Sequence, residues 1–318
     1  RYAPADNADR LGLTEPATPA ELAALRDHDD TRLPDIKAEP YEMTYGQISF
    51  LPRAMIDYKT LKLGSYFYAS DVLERYSIFG GATLNPQMDL DAFAIVEMRR
   101  FKPTLFLELY SFSRHIEREI DVIEDYPEKV NAGIRFNILE ADLGARINLT
   151  EGQTLRGAFV HSRYTSKIGD FFFKGIDWVS PANTYYIGNQ FIATWNLNAV
   201  VPGVTSDINP RMGRKAELRY SYERNRFFED FATDNSYGTL QEVYARYNYH
   251  RVELNWHEYL PAPWASRHGL SANIHAGWID RPVDSFFNFF AGGLPGLRGY
   301  PYYSIEGRKM ILVRFAYR

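Results

Sequence analysis

The feature that most constrains the fold of this chain is a strict alternation of apolar and polar residues, which recurs in long stretches. One such stretch is 139–149, and 214–224, 268–279 and 310–318 repeat the pattern. The apolar row of the first stretch consists of Leu139, Ala141, Leu143, Ala145, Ile147 and Leu149. Because successive side chains of a β-strand point to opposite faces, this period predicts amphipathic strands.

The length and polarity of these strands distinguish a membrane barrel from a soluble sandwich. Strands of soluble proteins are usually about five or six residues long, whereas crossing a bilayer takes about 9–11. In 214–224, one row is polar, which suits a water-filled lumen, and the opposite row is apolar, which suits lipid. The sequence therefore predicts an all-β, antiparallel transmembrane β-barrel, with a soluble β-protein as the alternative.

Composition supports this class and excludes others. The 23 Tyr and 21 Phe suit the aromatic girdles of a barrel, and no apolar run approaches the length of a membrane-spanning helix, about 20 residues. With no cysteine, the chain can have neither disulfides nor thiolate metal ligands. A net charge of −4 gives no electrostatic footprint for nucleic acid. The expected partner is the lipid bilayer.

The chain is predicted to have two parts. Residues 1–45 are rich in Ala, Pro, Asp and Glu and are interpreted as a linker, in which the capping box Thr18-Pro19-Ala20-Glu21 predicts a short helix over about 19–28. Residues 46–318 are predicted to form the barrel. Since the chain begins at Arg1 with neither an initiator Met nor a signal-peptide pattern, we expect a processed or trimmed piece.

Counting the alternating segments predicts about twelve strands. They lie near 47–57, 60–70, 76–86, 90–101, 104–115, 133–149, 153–166, 183–197, 213–224, 239–260, 268–279 and 307–318. The tenth is long and its phase slips near His250, which fits either a bulge or a tight turn. If it is one strand, the long loops all fall on one side of the sheet, as in outer-membrane barrels. This parity favours one strand.

The last predicted loop carries a specific pattern. A Gly pair (Gly292, Gly293) and then Leu297-Arg298-Gly299-Tyr300 precede the final strand. This pattern resembles the BamA/TamA-type superfamily of outer-membrane assembly and translocation barrels, known also as bacterial surface-antigen barrels. The resemblance implies a barrel of about 16 strands whose C-terminal strands are missing from this chain.

The resemblance also implies a role for the loop. Loop 280–306 would fold back into the lumen, and Arg298 would lie against the inner wall, largely shielded from solvent and paired with carboxylates. The guanidinium is a planar fork of donors that suits such a bidentate contact. The carboxylates are expected beyond Arg318, and within this chain Arg298 is expected to face Glu140, Asp142, Glu217 or no partner.

Two further features bear on the type of barrel. The segment 66–85 is similar to barrels of this superfamily that follow β-propellers, while periplasmic POTRA-type repeats are not visible. Pro52, in the first strand, fits the seam of such a barrel because proline cannot donate to a ladder, and it fits a bulge equally well.

The sequence gives no catalytic signature. The seven His show no metal-ligand spacing, and neither a nucleophile elbow nor a phosphate-binding loop is present. Ser113 and His115 share a strand face without an orienting acid, and the acidic stretch 117–128 fits a solvated loop better than a cation site. We expect no enzyme activity, no metal and no cofactor.

The predicted function is that of an outer-membrane barrel, in a Gram-negative-type bacterium, that assembles or translocates a protein or lipid-linked client. The alternative is a structural barrel that anchors a periplasmic domain or partner chain without transport. A diffusion porin is disfavoured because a tucked loop obstructs the lumen.

Overall fold

The computed structural model describes most of the predicted barrel. The described residues are 47–57, 60–121, 129–169, 171–173, 176–178, 182–202, 210–233, 240–265, 268–294 and 296–318. The chain divides into two units, Arg1–Met43 and Thr44–Arg318. The first unit, and with it the predicted linker and its helix over 19–28, lies outside the described residues.

Twelve strands form one antiparallel sheet. They are β1 (Ser49–Asp57), β2 (Thr60–Ser70), β3 (Tyr76–Leu84), β4 (Leu90–Met98), β5 (Thr104–Asp121), β6 (Lys129–Thr150), β7 (Gln153–Ile168), β10 (Ala182–Val200), β11 (Gly213–Thr233), β12 (Leu240–Pro261), β13 (Gly269–Ile279) and β16 (Lys309–Tyr317). Two short hairpins lie in connections: β8 (Phe171–Phe173) with β9 (Ile176–Trp178), and β14 (Phe289–Phe290) with β15 (Glu306–Gly307).

Each strand of the sheet pairs with its neighbour in chain order, and β1 and β16 form its two edges. All twelve predicted strands are confirmed in position. Strands β5, β6 and β11 extend several residues beyond the predicted ends on the side that carries the long connections.

Strand β12 is continuous from Leu240 to Pro261, which confirms the one-strand interpretation. The predicted bulge near His250 is absent from the described pairing of β11 with β12, whose one register shift falls between Phe228 and Asp230. The connections 122–128, 169–181, 234–239 and 280–308 therefore share one side of the sheet, as predicted, whereas 201–212, which is longer than 122–128, lies on the other side.

The two faces of the sheet differ as the alternation predicts. On the outer face, large apolar side chains are exposed, among them Leu143 (62% exposed) and Ile311 (78%). On the opposite face, polar side chains are buried, including Asp91, Ser221 and Glu223. Apolar groups exposed on one face and polar groups buried on the other are the arrangement of a barrel wall between lipid and a polar interior.

The polar face is concave. Asp57 on β1 and Arg114 on β5 form an ion pair, with 2.7 Å between Oδ2 and Nε. In a flat sheet these strands would lie about 19 Å apart, four strand spacings, which is beyond the reach of the two side chains. The sheet must curl toward its polar face at this end. The fold is thus of the predicted class: all-β, antiparallel and barrel-like.

Among the described residues, no helix has the length and hydrophobicity needed to cross a bilayer.

Candidate functional site

The connection between β13 and β16 turns back onto the inner face of the sheet. Phe287 packs against four aromatic side chains of that face, with ring centroids 5.4–6.0 Å apart. These are Tyr186 on β10, Phe227 on β11, and Tyr247 and Tyr249 on β12. Phe287 is 5% exposed and Tyr249 is 1% exposed, so this contact forms a buried aromatic core on the inner face of the wall.

Phe289 lies against a glycine of the inner face. A Cβ built on Gly277 of β13 would come within 2.6 Å of the Phe289 ring, so only glycine leaves room for the ring here. Phe289 and Phe290 form β14, which pairs with β15 and thereby joins the descending and returning limbs of the loop.

Arg251, also on the inner face, fixes the same segment. Its guanidinium lies 4.2 Å from the centroid of the Phe289 ring, and its Nη1 donates to the Phe287 carbonyl at 3.0 Å. Its Nε donates to Glu253 at 2.6 Å. One side chain therefore holds the loop through a cation–π contact and a charge-assisted hydrogen bond, while its own charge is balanced by Glu253.

The start of the loop is fixed as well. The backbone N–H of His250 donates to the Asp280 carboxylate at 2.8 Å, which ties the loop to β12. A 3-10 turn, Ser285–Phe287, follows, and the Asp284 side chain caps it by accepting from the Phe286 N–H at 2.9 Å. We call the segment 283–290 the inner segment.

Beyond the inner segment, the glycine-containing motif forms a compact tip. Gly292 bridges to Leu297, and the Gly293 N–H donates to the Tyr300 carbonyl at 2.9 Å. Gly293 and Gly299 have φ values of +85° and +96°, in the left-handed region that glycine tolerates. A side chain at Gly292 would collide with the Pro301 carbonyl oxygen at 1.9 Å. The predicted motif residues therefore do build one local turn.

The shielding of Arg298 by carboxylates expected beyond Arg318 stays a prediction, and within the described part of this chain the residue has the exposed, unpaired state that was one of its expected alternatives. Its side chain is exposed, as are those of Leu297 and Tyr300. Within the described ranges, no carboxylate lies within ion-pair distance of Arg298. The tip closes on its own backbone hydrogen bonds.

Most of the inner-wall carboxylates near these elements already have partners on neighbouring strands. Glu140 accepts from Ser162 at 2.8 Å, and Asp142 lies 3.6 Å from Arg156. Glu223 accepts hydrogen bonds from Tyr249, Ser221 and Asn225. Glu217, the remaining candidate partner, is exposed on the same face.

A second polar cluster, which the sequence did not predict, lies near the β1 edge. Lys62 on β2 is 1% exposed and donates to Asp91 on β4 at 3.0 Å, and Asp91 also accepts from Arg114 at 2.6 Å. Asp57 lies within 3.3 Å of Lys62 and pairs with Arg114. Two cations and two anions thus neutralise one another inside the curl. The four residues come from separate strands, so no local motif could have signalled the cluster.

The other residues that the sequence analysis named are held in contacts of the sheet itself. Pro52 lies in the edge strand β1, opposite Ser65. Ser113 donates to the Leu90 carbonyl and accepts from its N–H, so its hydroxyl is engaged by backbone. Part of the acidic stretch, 122–128, lies outside the described residues, and within the described part of the chain no group of three or more acids or His could hold a metal.

The fold and this inward-turned loop define the class of protein: an antiparallel β-barrel wall with a loop on its inner face. No family model matches the chain, and the curated proteins give no match. Among solved structures, the chain is similar to BamA from Haemophilus ducreyi lacking POTRA domains 1–3, at 12% identity and a TM-score of 0.47. The match covers 83% of this chain and 47% of that one, so the chain spans about half the length of that structure.

Proposed function

We propose that this chain is an outer-membrane barrel that assembles or translocates a protein or lipid-linked client, and that the loop between β13 and β16 acts at the inner wall. The observation that supports this proposal is the loop itself. Phe287 and Phe289 of its inner segment are packed in a buried aromatic core, while its tip presents Leu297, Arg298 and Tyr300 to solvent. A rigidly held, exposed cation beside aromatic and aliphatic groups is suited to contact a passing chain.

The proposed location is the outer membrane of a Gram-negative-type bacterium. Strands that are long enough to cross a bilayer and have one apolar and one polar face are typical of barrels in that membrane. The long connections would face the cell exterior.

The experiment is client assembly in liposomes that contain the purified full-length protein. A small outer-membrane barrel is added unfolded from urea, and its folding is followed by the heat-sensitive shift of its electrophoretic mobility. The proposal expects faster folding than in empty liposomes. Folding at the rate of empty liposomes, with the barrel itself correctly folded, would overturn the proposal.

The role of the tip is tested by Arg298→Ala against Arg281→Ala. Both arginines are exposed in the same connection, and Arg281 lies 3.6 Å from Asp280 outside the tip. We expect Arg298→Ala to slow client folding and Arg281→Ala to leave it unchanged. Equal rates for the two variants would remove Arg298 from the mechanism.

The alternative, a structural barrel that anchors a periplasmic domain or partner chain, predicts a partner that co-purifies at fixed stoichiometry and no effect on client folding. A diffusion porin predicts large and steady conductance in planar bilayers. The packed inner segment favours a low or flickering conductance instead, since it occupies part of the interior.

A further inference from the structure

On the outer face of β7, β10, β11 and β12, side chains that are register partners form rows across the strands, which we call levels. The residue types of these levels change toward the end of the sheet that carries the connection between β13 and β16. One level is aromatic, and it consists of Phe159, Phe191, Tyr222 and His250. Phe159 and Phe191 have ring centroids 5.1 Å apart, and the His250 ring lies 4.9 Å from that of Tyr222. On the side of the short connections, the outer face continues with Leu155, Trp195, Leu218 and Leu254. The aromatic level is therefore the upper girdle of the apolar band.

Directly above this girdle the outer face becomes cationic. The next level holds His161, Asn189, Arg224 and Asn248, and the level above it holds Arg163, Ile187, Arg226 and Arg246. Arg226 is the register partner of Arg246, and Arg224 lies two residues from Arg226 on the same face. With strands about 4.8 Å apart and levels about 7 Å apart, these three guanidinium groups can converge on one small anion.

The arginines are available to a ligand. Arg224, Arg226 and Arg246 are exposed, and in the part of the chain that the structure describes none of them has a carboxylate within 4 Å. Glu242, on the same strand as Arg246, is already engaged by the Tyr244 hydroxyl and the Thr184 N–H. An open groove of about 470 Å³ separates the arginines from the girdle, and it is lined in part by Phe159, Phe191, Asn189, Arg224, Arg226 and Arg246.

We propose that this surface binds a phosphorylated glycolipid of the outer leaflet, with its phosphates on Arg224, Arg226 and Arg246 and its acyl chains along Phe159 and Phe191. The occupant follows from charge and position together. Guanidinium forks bind phosphate oxygens in pairs, and the aromatic level below them meets acyl chains at the depth where a headgroup ends. A soluble phosphate compound would use the arginines and leave the apolar half of the groove unfilled.

This inference rests on the outer-membrane location proposed above and not on the assembly activity. A barrel that fails to fold clients can still bind the lipid, and lipid binding can fail in an active barrel. The two proposals are therefore tested separately.

The experiment is native mass spectrometry of the full-length protein in detergent, titrated with lipid A that carries two phosphates. The test variant is the triple Arg224→Gln, Arg226→Gln and Arg246→Gln. The control triple Lys215→Gln, Arg219→Gln and Arg281→Gln removes the same charge from the inner face and the start of the loop.

We expect the affinity for lipid A to fall about tenfold or more in the test triple and to change little in the control, since each charge-assisted contact contributes strongly. Lipid A with one phosphate should bind the unsubstituted protein more weakly, and millimolar inorganic phosphate should not displace the lipid. Equal affinity in both triples, or displacement by inorganic phosphate alone, would overturn the proposal. If the test triple does not fold, the Arg→Lys triple replaces it, because it keeps the charge and loses only the fork, and unchanged affinity there would count against phosphate coordination.

Discussion

The Arg251 guanidinium lies over the Phe289 ring at 4.2 Å and donates to the Phe287 carbonyl at 3.0 Å. A single strand residue thus holds two points of the inner segment, so it governs whether this segment stays on the wall. Arg219, on the neighbouring strand and the same face, is register partner to Glu253 and serves as its control.

Arg251→Gln should loosen the inner segment, because it removes the cation–π contact and weakens the bond to the Phe287 carbonyl. We expect faster hydrogen exchange in 283–290 and more frequent open events in planar bilayers. Arg219→Gln should leave exchange in 283–290 unchanged. If both variants exchange alike, the loop is held by the aromatic core alone.

Gly277→Ala should displace the Phe289 ring, since the new Cβ would lie within 2.6 Å of it. A misfit of this kind typically costs about 1–3 kcal/mol. Gly157→Ala is the matched control, because nothing lies within 4 Å of its added Cβ, and its effect should stay within about 0.5 kcal/mol. Unfolding in guanidinium, with tyrosine and tryptophan fluorescence as the readout, measures both; equal midpoints would refute the close packing.

Lys62→Met should destabilise the barrel by about 3–5 kcal/mol, because it leaves Asp57 and Asp91 facing Arg114 alone in a buried site. The double variant Lys62→Met with Asp91→Leu should recover part of that loss, since it removes the unpaired carboxylate together with the cation. Unfolding in guanidinium measures both variants. If the double variant is less stable than Lys62→Met by the full cost of Asp91→Leu alone, the two residues act independently and the expectation fails.

Leu143→Arg should impair membrane insertion by about 2–4 kcal/mol if the site lies near the bilayer midplane. Leu143 is on the exposed apolar face, whereas Ser271 is on the inner face, so Ser271→Arg should be much milder. The fraction folded in liposomes at graded urea concentrations gives the comparison. Similar costs at both positions would contradict the assignment of the faces.

Gln87→Cys and Glu74→Cys test which side of the sheet faces outward. Both residues are exposed in turns that flank β3, at opposite ends of that strand, and the chain has no native cysteine. A membrane-impermeant maleimide should label Gln87→Cys on intact cells and label Glu74→Cys only after lysis. The reverse pattern would invert the barrel, and with it the position of the arginine surface.

The strands could be predicted because alternation of apolar and polar residues is a local signal. All twelve strands predicted within 46–318 are found at the predicted positions. The phase slip near His250 shows the limit of that signal. Before His250, the apolar residues Tyr247 and Tyr249 face inward because Phe287 packs on them, and after it Val252 and Leu254 face outward. The slip in the alternation near His250 reflects the packing of Phe287 against the inner face on one side of this point only. A contact of this kind cannot be read from a single sequence.

The burial of the inner segment could have been predicted from its composition. The stretch 286–290 holds four Phe around Asn288, and a loop with that composition must bury part of it. The Lys62 cluster had no such signal, because it depends on contacts between distant strands, and the exposure of Arg298 had none, because it depends on the backbone of the tip. The seam role of Pro52 and the completion of the barrel to about 16 strands stay predictions.

Along β12 the apolar side chains lie on the inner face before His250 and on the outer face after it, and this has a mechanical consequence. Sliding this strand outward by one residue pair, about 7 Å, would pull Tyr249 away from Phe287 and raise Val252 to the level that His250 now holds. The side-chain spacing along this one strand therefore couples two properties. It relates the depth of the wall in the membrane to the packing of the inner segment against the inner face.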